Sequence, residues 1–417
     1  MKVAVIGSGI SGLVAAYRLA PRHEVTLFEA APRLGGHTHT VAVEHAGRRL
    51  DVDTGFIVFN ERTYPNFVRL LGELDVATRE TLMSFSVRCE STGLEYSGTG
   101  LGGFFAQRRR LLSLRHWGML RDVLRFQREA PERVEQDDDH ETLGAWLERQ
   151  GYGEAFLEDH ILPMGGAIWS GTRDQLRDFP ARAFLRFFAN HGLLQLRDRP
   201  RWRTIVGGSR RYLDAMLQRR GDRLRVRLGC PVRRLRRADD GIHLDTPTGP
   251  LGPFDRAIVA THSDQALALL DRPSDDERRI LSAIRYQRNE AVLHTDERLL
   301  PRAPRARAAW NYHRLPGKET APAVTYWMNA LQGLRSPTSF CVTLNRTEAI
   351  AEGTILRRIE YAHPVFDTRA LEAQRQRPLV SGRDRVHFAG AYWRYGFHED
   401  GVVSALQAIE ELEQAGR

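Results

Sequence analysis

A glycine-rich turn near the amino terminus constrains the fold of this chain more than any other feature. The turn, G-S-G-I-S-G at residues 7–12, follows an apolar run at residues 3–6 and precedes a stretch rich in alanine and leucine. Gly7 permits a tight turn, Gly9 lets the backbone approach a pyrophosphate, and Gly12 lets a helix pack closely on a strand. The free N–H groups at the start of such a helix favour phosphate. The pattern therefore predicts a strand, a turn and a helix that bind a dinucleotide.

An acidic residue after the second predicted strand narrows the choice of dinucleotide. Glu29 follows the alternating residues 24–28 and lies at about the expected distance from Gly12. A carboxylate at this position hydrogen-bonds ribose hydroxyls and repels a 2′-phosphate. We therefore expect a dinucleotide that lacks the 2′-phosphate of NADP.

Sheet-like and helical segments alternate along the chain. Residues 76–199 are rich in Leu, Phe, Trp and Arg at helical spacing, whereas short apolar runs typical of buried strands return at residues 257–260 and 386–389. This order predicts two domains that are interleaved in sequence. The fold class is α/β for the dinucleotide-binding domain and α+β for the two domains together. We assign residues 1–75, 200–265 and 380–417 to a Rossmann-type dinucleotide-binding domain, and residues 76–199 and 266–379 to a substrate domain of mixed sheet plus helices.

Charge and composition limit the classes of partner. The chain has 61 basic and 52 acidic residues, a net charge of +9, and Lys2 and Lys318 are its only lysines. Positive charge attracts anionic surfaces, but without a finger, helix-turn-helix or RNP-type motif we expect no nucleic acid. The spacing of Cys89, Cys230 and Cys341 fits no metal site. No apolar run approaches the ~20 residues that span a bilayer, so we expect a cytoplasmic protein, with peripheral attachment to the inner membrane face as the alternative.

The residues that follow Glu29 carry a family resemblance. The E-x3-R-x-G-G pattern of residues 29–36 and the D-T-G-F pattern of residues 53–56 resemble those of the flavin amine oxidase and phytoene desaturase superfamily. Matching segments recur in order, including residues 230–235, which resemble a strand that contains Val232, up to residues 386–392 and 401–405. A helix is expected from about Val402 to Ala415. The resemblance implies an FAD cofactor, bound by Gly7, Gly9, Ser11, Gly12, Glu29, Ala30, Arg33, Gly35, Gly36, Thr54, Gly55, Phe56, Val232, Gly390, Ala391, Gly401 and Val402.

Two positions depart from the pattern of that superfamily. Many members have an acidic residue where this chain has Ala391, and a second arginine after the glycine pair where it has His37. These departures concern the contacts to the flavin and to the pyrophosphate, respectively.

A narrower resemblance concerns the substrate. The D-T-G-F-I-V-F-N pattern at residues 53–60 and the Y-G-F-H-E-D-G pattern at residues 395–401 resemble a bacterial subgroup of FAD proteins linked to cyclopropane- and methyl-fatty-acid synthesis. A methylated-fatty-acid desaturase of furan fatty acid synthesis is similar in function. This implies an oxidoreductase that desaturates a methylated, phospholipid-linked acyl chain by hydride transfer to flavin N5. It also implies a methyltransferase or oxygenase of the same pathway as a partner.

The C-terminal loop provides the candidate catalytic residues, because the resemblance implies that it lies beside the flavin. Desaturation requires a base for the second proton. His398, Glu399 and Tyr395 are the candidates, and each could instead hold the loop in position. Two other function classes stay open, an amine oxidase acting on a small amine and a redox-silent FAD-binding subunit. Amine oxidases often carry a lysine in the strand that corresponds to residues 287–293, which have none here.

Residues 104–128 interleave arginines with leucine, tryptophan and phenylalanine at helical spacing. A basic amphipathic helix of this kind can lie in a lipid interface. Residues 183–203 are a second aromatic segment, which could make a further contact or line an apolar tunnel. The alternative is that both segments are ordinary core helices with solvated arginines. We therefore expect a lipid or another apolar small molecule as substrate and a peripheral contact with an anionic membrane through residues 104–128.

Overall fold

The computed structural model of the protein describes residues 1–45, 47–135, 140–195, 199–219, 221–317 and 321–414. The acidic stretch at residues 137–139 and Lys318 lie outside the described residues. All three cysteines are described, and each is a buried free thiol.

The amino-terminal strand lies in the middle of a parallel sheet of five strands within the described residues. These strands are β1 (Lys2–Ile6), β2 (Glu24–Phe28), β10 (Leu224–Arg227), β14 (Arg256–Val259) and β20 (Val386–Phe388). Their order is β10-β2-β1-β14-β20, and Val5 of β1 pairs with Leu27 on one side and Ile258 on the other. The Rossmann-type arrangement predicted from the glycine turn is confirmed.

Alternation along β1 sends its side chains into two different cores. Val3 and Val5 pack in the core that α1 (Ile10–Leu19) and α15 (His398–Gln414) cover. Ala4 and Ile6 pack in the core on the opposite face. That face is covered by the antiparallel strands β11 (Arg234–Ala238), β12 (Gly241–Thr246) and β13 (Gly249–Phe254), and by the helices α11 (Ser263–Leu269), α12 (Asp275–Ala283) and α14 (Thr368–Arg375). Because both faces are covered, the strand is apolar throughout residues 3–6.

A second, mixed sheet of seven strands forms the base of the other domain among the described residues. Its strands are β7 (Phe85–Cys89), β8 (Leu94–Ser97), β15 (Arg285–His294), β16 (Trp310–Arg314), β17 (Ala323–Trp327), β18 (Cys341–Leu344) and β19 (Ile355–Val365). The order is β19-β15-β18-β17-β16-β7-β8, and the pair of β16 and β7 is parallel while the other neighbours are antiparallel. The two domains therefore alternate along the chain.

Helices from the middle of the chain pack beside this second sheet. They are α3 (Leu101–Phe104), α4 (Leu114–Glu135), α5 (Leu143–Arg149), α6 (Glu154–Phe156), a π-helical turn (Leu157–Ile161), α7 (Leu162–Trp169), α8 (Arg173–Arg177) and α9 (Ala181–Asn190). Their buried faces form a core rich in aromatic residues, to which α4 contributes Phe126, α7 contributes Trp169, and α9 contributes Phe184, Phe187 and Phe188. We call this core the aromatic cluster.

The remaining described elements are short. Two small sheets are the hairpin of β3 (Thr40–His45) and β4 (Arg48–Asp53), and the sheet of β5 (Val58–Asn60), β9 (Trp202–Ile205) and β6 (Thr78–Glu80). The helices are α2 (Pro65–Glu73), α10 (Arg210–Arg219) and α13 (Met328–Leu331), and 3-10 turns lie at Arg108–Leu112, Glu297–Leu299, Pro304–Ala306, Thr347–Ala349, Glu352–Thr354, Arg377–Leu379 and Ala391–Trp393.

The structure differs from the sequence prediction in three segments. Residues 78–97 were expected to be helical but contain strands β6, β7 and β8. Strand β6 pairs with β9, and β7 pairs with β16. Val232 was expected in a strand but lies in the connection between β10 and β11. Helix α15 begins at His398, four residues before the predicted start at Val402. Among the described residues, none of the helices combines the length and apolar character needed to cross a bilayer.

We predict that the free energy of unfolding falls when the pH is lowered from about 7 to about 5. Burial lowers the pKa of His160, His191 and His294 to about 4, against about 6.5 in an unfolded chain. Between these values the unfolded chain binds protons that the folded chain does not, so acid favours unfolding. Asp53 and Asp400 oppose this, because burial raises their pKa values to about 6 and about 7. Denaturant titration at both pH values measures the balance, and an unchanged or higher midpoint at the lower pH would contradict it.

Candidate functional site

The three glycines of the amino-terminal turn have different surroundings. Gly7 has a φ of +98°, and a Cβ there would lie 2.7 Å from the carbonyl oxygen of Ala260. A Cβ on Gly12 would lie 1.8 Å from the carbonyl oxygen of Gly7. A Cβ on Gly9 would meet nothing within 4 Å. Gly7 and Gly12 are therefore required by packing, whereas Gly9 borders open space.

The start of α1 is available to an anion. Its N-cap is Gly9, and no side chain of the described residues caps the helix. Gly401 of α15 lies against this end, since a Cβ on it would be 2.5 Å from Cγ2 of Ile10 and 3.0 Å from Oγ of Ser11. Val402, the next residue, is buried in the core beneath α1. The amino-terminal turns of α1 and α15 therefore meet. The uncapped N–H groups of α1 favour negative charge, whereas the first turn of α15 carries Glu399 and Asp400.

Glu29 connects the end of β2 to the glycine turn. Its carboxylate accepts hydrogen bonds from the backbone N–H of Ser8 at 2.9 Å, from the Ser8 hydroxyl, and from the N–H of Ala31 at 2.8 Å. Ala30 beside it is exposed, and Val232 is buried in the core next to Phe28. The carboxylate lies at the end of the strand, where the sequence predicts ribose recognition, and that role stays a prediction.

The loop after Glu29 brings a second pair of glycines to the turn. Gly35 and Gly36 have φ values of +114° and +55°, and a Cβ on Gly36 would lie 3.2 Å from the Cα of Gly9. The guanidinium of Arg33 holds this loop by donating to the carbonyl oxygen of Gly36 at 2.9 Å. Gly36 thus packs on the backbone of Gly9, and the open space beside Gly9, which a side chain would fill, is called the cradle.

His37 follows the glycine pair in place of an arginine. Its ring stacks on Tyr361 with 4.9 Å between ring centroids, and it lies 5.2 Å from the ring of His363 and 6.1 Å from that of His262. Burial, together with His363 and His262, holds the pKa of His37 well below its ordinary value. Its Nε2 atom is out of contact with solvent and has no hydrogen-bond partner among the described residues. This neutral ring therefore has one nitrogen free for a ligand.

The D-T-G-F segment passes directly beside His37. The N–H of Phe56 donates to the His37 carbonyl oxygen at 2.8 Å, and a Cβ on Gly55 would lie 2.1 Å from the same oxygen. The hydroxyl of Thr54 lies 2.9 Å from that of Tyr361 on β19. The segment thereby joins the dinucleotide-binding domain to the second sheet.

His398 begins α15 and lies at the centre of a buried polar group. Its ring stacks on Phe56 with centroids 3.5 Å apart. Its Nε2 atom is 2.9 Å from the hydroxyl of Tyr212 and 3.2 Å from that of Thr38, and the two hydroxyls are 2.5 Å apart. Burial lowers the pKa of His398 to about 3, so the ring is neutral and its Nε2 atom can accept a hydrogen bond from either hydroxyl.

The other candidate catalytic residues have packing partners. Both carboxylate oxygens of Glu399 are used, because they accept from the N–H groups of Asn66 and Phe67 at 3.1 and 2.9 Å at the start of α2. Tyr395 packs on Phe187 of the aromatic cluster with 5.8 Å between ring centroids. This arrangement does not favour a catalytic role for Glu399 or Tyr395. That role stays a prediction.

The C-terminal motif holds Gly390 and Ala391 against α15. The N–H of Gly390 donates to the hydroxyl of Ser404 at 3.0 Å, and Ala391 begins a 3-10 turn. Asp400 accepts from the N–H of Phe397 at 2.9 Å, and burial raises its pKa to about 7. The residue after Asp400 packs on Ala391, since a Cβ on Gly401 would lie 3.8 Å from the Cβ of Ala391.

A group of buried rings at the domain boundary was not identified as a functional site from the sequence. It consists of His37, His262 and His363 with Tyr361 and Tyr286, and the ring of His262 stacks on Tyr286 with 4.4 Å between centroids. His363, expected in a turn, is in β19, where burial lowers its pKa to about 4. We call these residues the histidine group. Tyr361 and His363 share β19, whereas His37, His262 and Tyr286 come from other segments, so no spacing in the sequence could have revealed the whole group.

The described residues fit FAD on three grounds. The cradle beside Gly9 is open because glycine has no side chain to fill it. The start of α1 has free N–H donors for a pyrophosphate, and the buried Nε2 atom of His37 lacks a partner among the described residues. No cluster of metal-ligating side chains occurs among the described residues. The fold and site thus define a two-domain flavoprotein oxidoreductase.

Comparison with known proteins gives the family. Residues 10–412 match the family described as flavin containing amine oxidoreductase, and the chain belongs to that family. Its members use FAD, and the prediction of FAD is confirmed.

Similarity to individual proteins is distant or local. The structure resembles cyclohexylamine oxidase from Brevibacterium oxydans IH-35A, with a TM-score of 0.69 and 15% identity over 100% of this chain and 99% of the other. It resembles a CLA-producing fatty acid isomerase from P. acnes, with a TM-score of 0.66 and 16% identity over 99% and 98% of the two chains. A segment of 64 residues is 42% identical to a carotenoid phi-ring synthase of Chlorobaculum tepidum, but covers 15% of this chain and 10% of that protein. The structural similarities establish the fold alone.

We predict that Gly9→Ala weakens FAD binding by about tenfold or more without destabilising the fold. The φ of Gly9 is −62°, and an added methyl group meets no protein atom, but it would occupy the cradle. Gly118→Ala is the matched control, because a Cβ on that helical glycine of α4 also meets nothing within 4 Å. FAD affinity is measured by fluorescence titration of the apoprotein, and thermal unfolding checks the fold. Equal affinity in the two variants would contradict the assignment of the cradle.

Proposed function

We propose that the protein desaturates a fatty acyl chain, methylated and linked to a phospholipid, as an FAD-dependent oxidoreductase. The apolar surroundings of the C-terminal loop carry this proposal. Phe397 stacks on Phe187 with centroids 4.8 Å apart and lies 6.4 Å from Trp169. The side of the loop that faces the second domain is therefore lined by rings. Such a wall suits a hydrocarbon chain, whereas a charged ammonium group would lose its hydration there.

Relatives of the same fold support an apolar substrate. One is named a fatty acid isomerase, and the local match is to a carotenoid phi-ring synthase, so both names refer to long apolar molecules. The amine oxidases among the structural relatives keep an amine as the alternative substrate. Residues 287–293, where such enzymes often have a lysine, contain arginine but no lysine, which favours the acyl chain.

The reaction removes a hydride and a proton from adjacent carbons and leaves a double bond between them. Bound FAD supplies the acceptor for the hydride. The protein has to accept the proton, and His398 is our candidate. Its ring is neutral and can take up a proton, and its Nε2 atom contacts the hydroxyls of Tyr212 and Thr38. This hydroxyl pair would also align the ring beside Phe56.

The proposal predicts that phospholipid extracts with methylated acyl chains bleach the flavin absorbance under anaerobic conditions. The product should be lighter by two hydrogens and carry a new double bond, as measured by mass spectrometry. The same titration with small aliphatic and aromatic amines is the control. Bleaching by an amine and not by lipid would replace the proposal with amine oxidation, and bleaching by neither would support a redox-silent flavoprotein.

We further predict that His398→Asn slows anaerobic flavin reduction by about 100-fold or more, the usual contribution of a general base. FAD content and the flavin spectrum should be retained. His363→Asn is the matched control, because it also removes a buried neutral histidine, which hydrogen-bonds through Nδ1 to Asn289 at 2.9 Å. Full activity in His398→Asn would eliminate His398 as the base. A large loss in His363→Asn alone would transfer that role to the histidine group.

A further inference from the structure

The exposed side of residues 101–128 combines apolar and basic side chains. In α4 the exposed side chains of Leu114, Trp117, Arg121, Leu124 and Arg128 recur at intervals of three or four residues and form one stripe. The other exposed residues of this helix are Arg115, Pro131, Glu132 and Glu135. The opposite side of α4 is buried and includes Met119 and Phe126. The preceding turn exposes Arg108, Arg109, Leu111 and Leu112, and α3 exposes Leu101. We call these ten exposed residues the arginine–leucine face.

The apolar side chains of this face are exposed to an unusual extent. Leu112 and Leu114 are 91% and 89% exposed, and Trp117 is 45% exposed. Six of the twelve exposed large apolar side chains among the described residues lie between residues 101 and 124. Scattered exposed leucines are common, but a contiguous group of this kind marks an interaction surface.

The charges on the face are positive. Arg108, Arg109 and Arg110 form no ion pair among the described residues. Arg110 donates to the carbonyl oxygen of Thr92 at 3.0 Å, and burial and the neighbouring Arg109 lower its pKa. The one acidic residue in 101–128 is Asp122, which is buried and accepts from the N–H of Gly153 at 2.9 Å. Arg121 pairs with Asp122 at 3.1 Å and Arg128 lies 4.0 Å from Glu129, so the positive charge of the face that has no ion pair among the described residues is that of Arg108 and Arg109. An anion would offset this charge.

An open cavity lies within the face. Its volume is about 340 Å³, and Thr92, Arg109, Arg110, Leu112 and Ser113 line it. Two arginines and two hydroxyl residues therefore line it, together with the highly exposed Leu112. Arginine donors match phosphate oxygens in geometry and charge. A phosphate bound in this cavity would lie next to the apolar side chain of Leu112.

We propose that the arginine–leucine face docks the protein on a bilayer that contains anionic phospholipid. A lipid phosphate occupies the cavity at Arg109 and Arg110, while Leu112, Leu114 and Trp117 enter the boundary between headgroups and acyl chains. Alternation of leucine and arginine suits this boundary, where apolar and anionic groups are adjacent. A nucleic acid would leave the leucines against a charged backbone. The proposal concerns the surface alone and is independent of the reaction catalysed.

The test is co-sedimentation of the FAD-loaded protein with vesicles of phosphatidylglycerol in phosphatidylcholine, or of phosphatidylcholine alone, without substrate. We expect binding to the anionic vesicles, loss of at least tenfold in affinity at high salt, and no competition by excess inorganic phosphate. Leu112→Asp/Leu114→Asp should abolish binding. Arg108→Gln/Arg109→Gln should weaken it by about tenfold or more, since each arginine near an anionic surface contributes about fivefold.

The control is Leu228→Asp/Leu379→Asp, which changes two leucines that are 45% and 47% exposed and lie outside the face. It should bind as the unchanged protein does, and circular dichroism checks that every variant folds. Unchanged binding of Leu112→Asp/Leu114→Asp, or equal binding to uncharged vesicles, would overturn the proposal. Competition by inorganic phosphate would overturn it in favour of a site for a free anion.

Discussion

The rest of the structure depends on the close packing of glycine backbones around the start of α1. Gly12 allows α1 to reach the carbonyl oxygen of Gly7, Gly401 brings the first turn of α15 onto Ile10, and Gly36 lies opposite Gly9. A methyl group on Gly12 or Gly401 would meet a neighbouring atom within 2.5 Å. The positions of α1, α15 and the loop after β2 are therefore interdependent, and the parallel sheet supports them together.

This arrangement gives the buried boundary between the domains an unusual charge distribution. The protein has a net charge of +9, but the histidines at the boundary, such as His363 and His398, are neutral because burial lowers their pKa values. Positive potential there comes from the uncapped start of α1, whereas the first turn of α15 carries the acidic residues Glu399 and Asp400. The arginines are concentrated on the outside. An anionic dinucleotide and an uncharged substrate are both compatible with such an interior.

Features that depend on local spacing could be predicted from the sequence. The glycine turn, the strand before it and Glu29 lie within thirty residues, and each has a physical requirement for its residue type. The structure bears out the Rossmann-type sheet on this basis. The start of α15 was predicted too late, because His398, Glu399 and Asp400 resemble loop residues until their partners are known. Glu399 is fixed by N–H groups of α2, which is more than three hundred residues earlier in the chain.

Interactions between distant segments could not be predicted. The buried carboxylate of Asp53 accepts from the N–H of Ser209 at 2.9 Å and from the amide of Gln332 at 2.9 Å, and so joins three segments of both domains. The histidine group depends in the same way on β19 passing beside the glycine loop. A single sequence contains the residues for such contacts but not their pairing, because tertiary packing alone brings them together.

Helix α4 joins the surface and interior properties of the second domain. Its exposed stripe belongs to the arginine–leucine face, while Phe126 on its buried side contacts Trp146, Phe156 and Phe188. Phe188 in turn stacks on Phe184 at 4.3 Å between centroids, and the cluster extends to Phe397. The apolar material between the proposed membrane contact and the C-terminal loop is therefore continuous. One helix thus carries exposed basic and apolar side chains on one side and packs into the aromatic cluster on the other, so the position of the arginine–leucine face is fixed by that cluster.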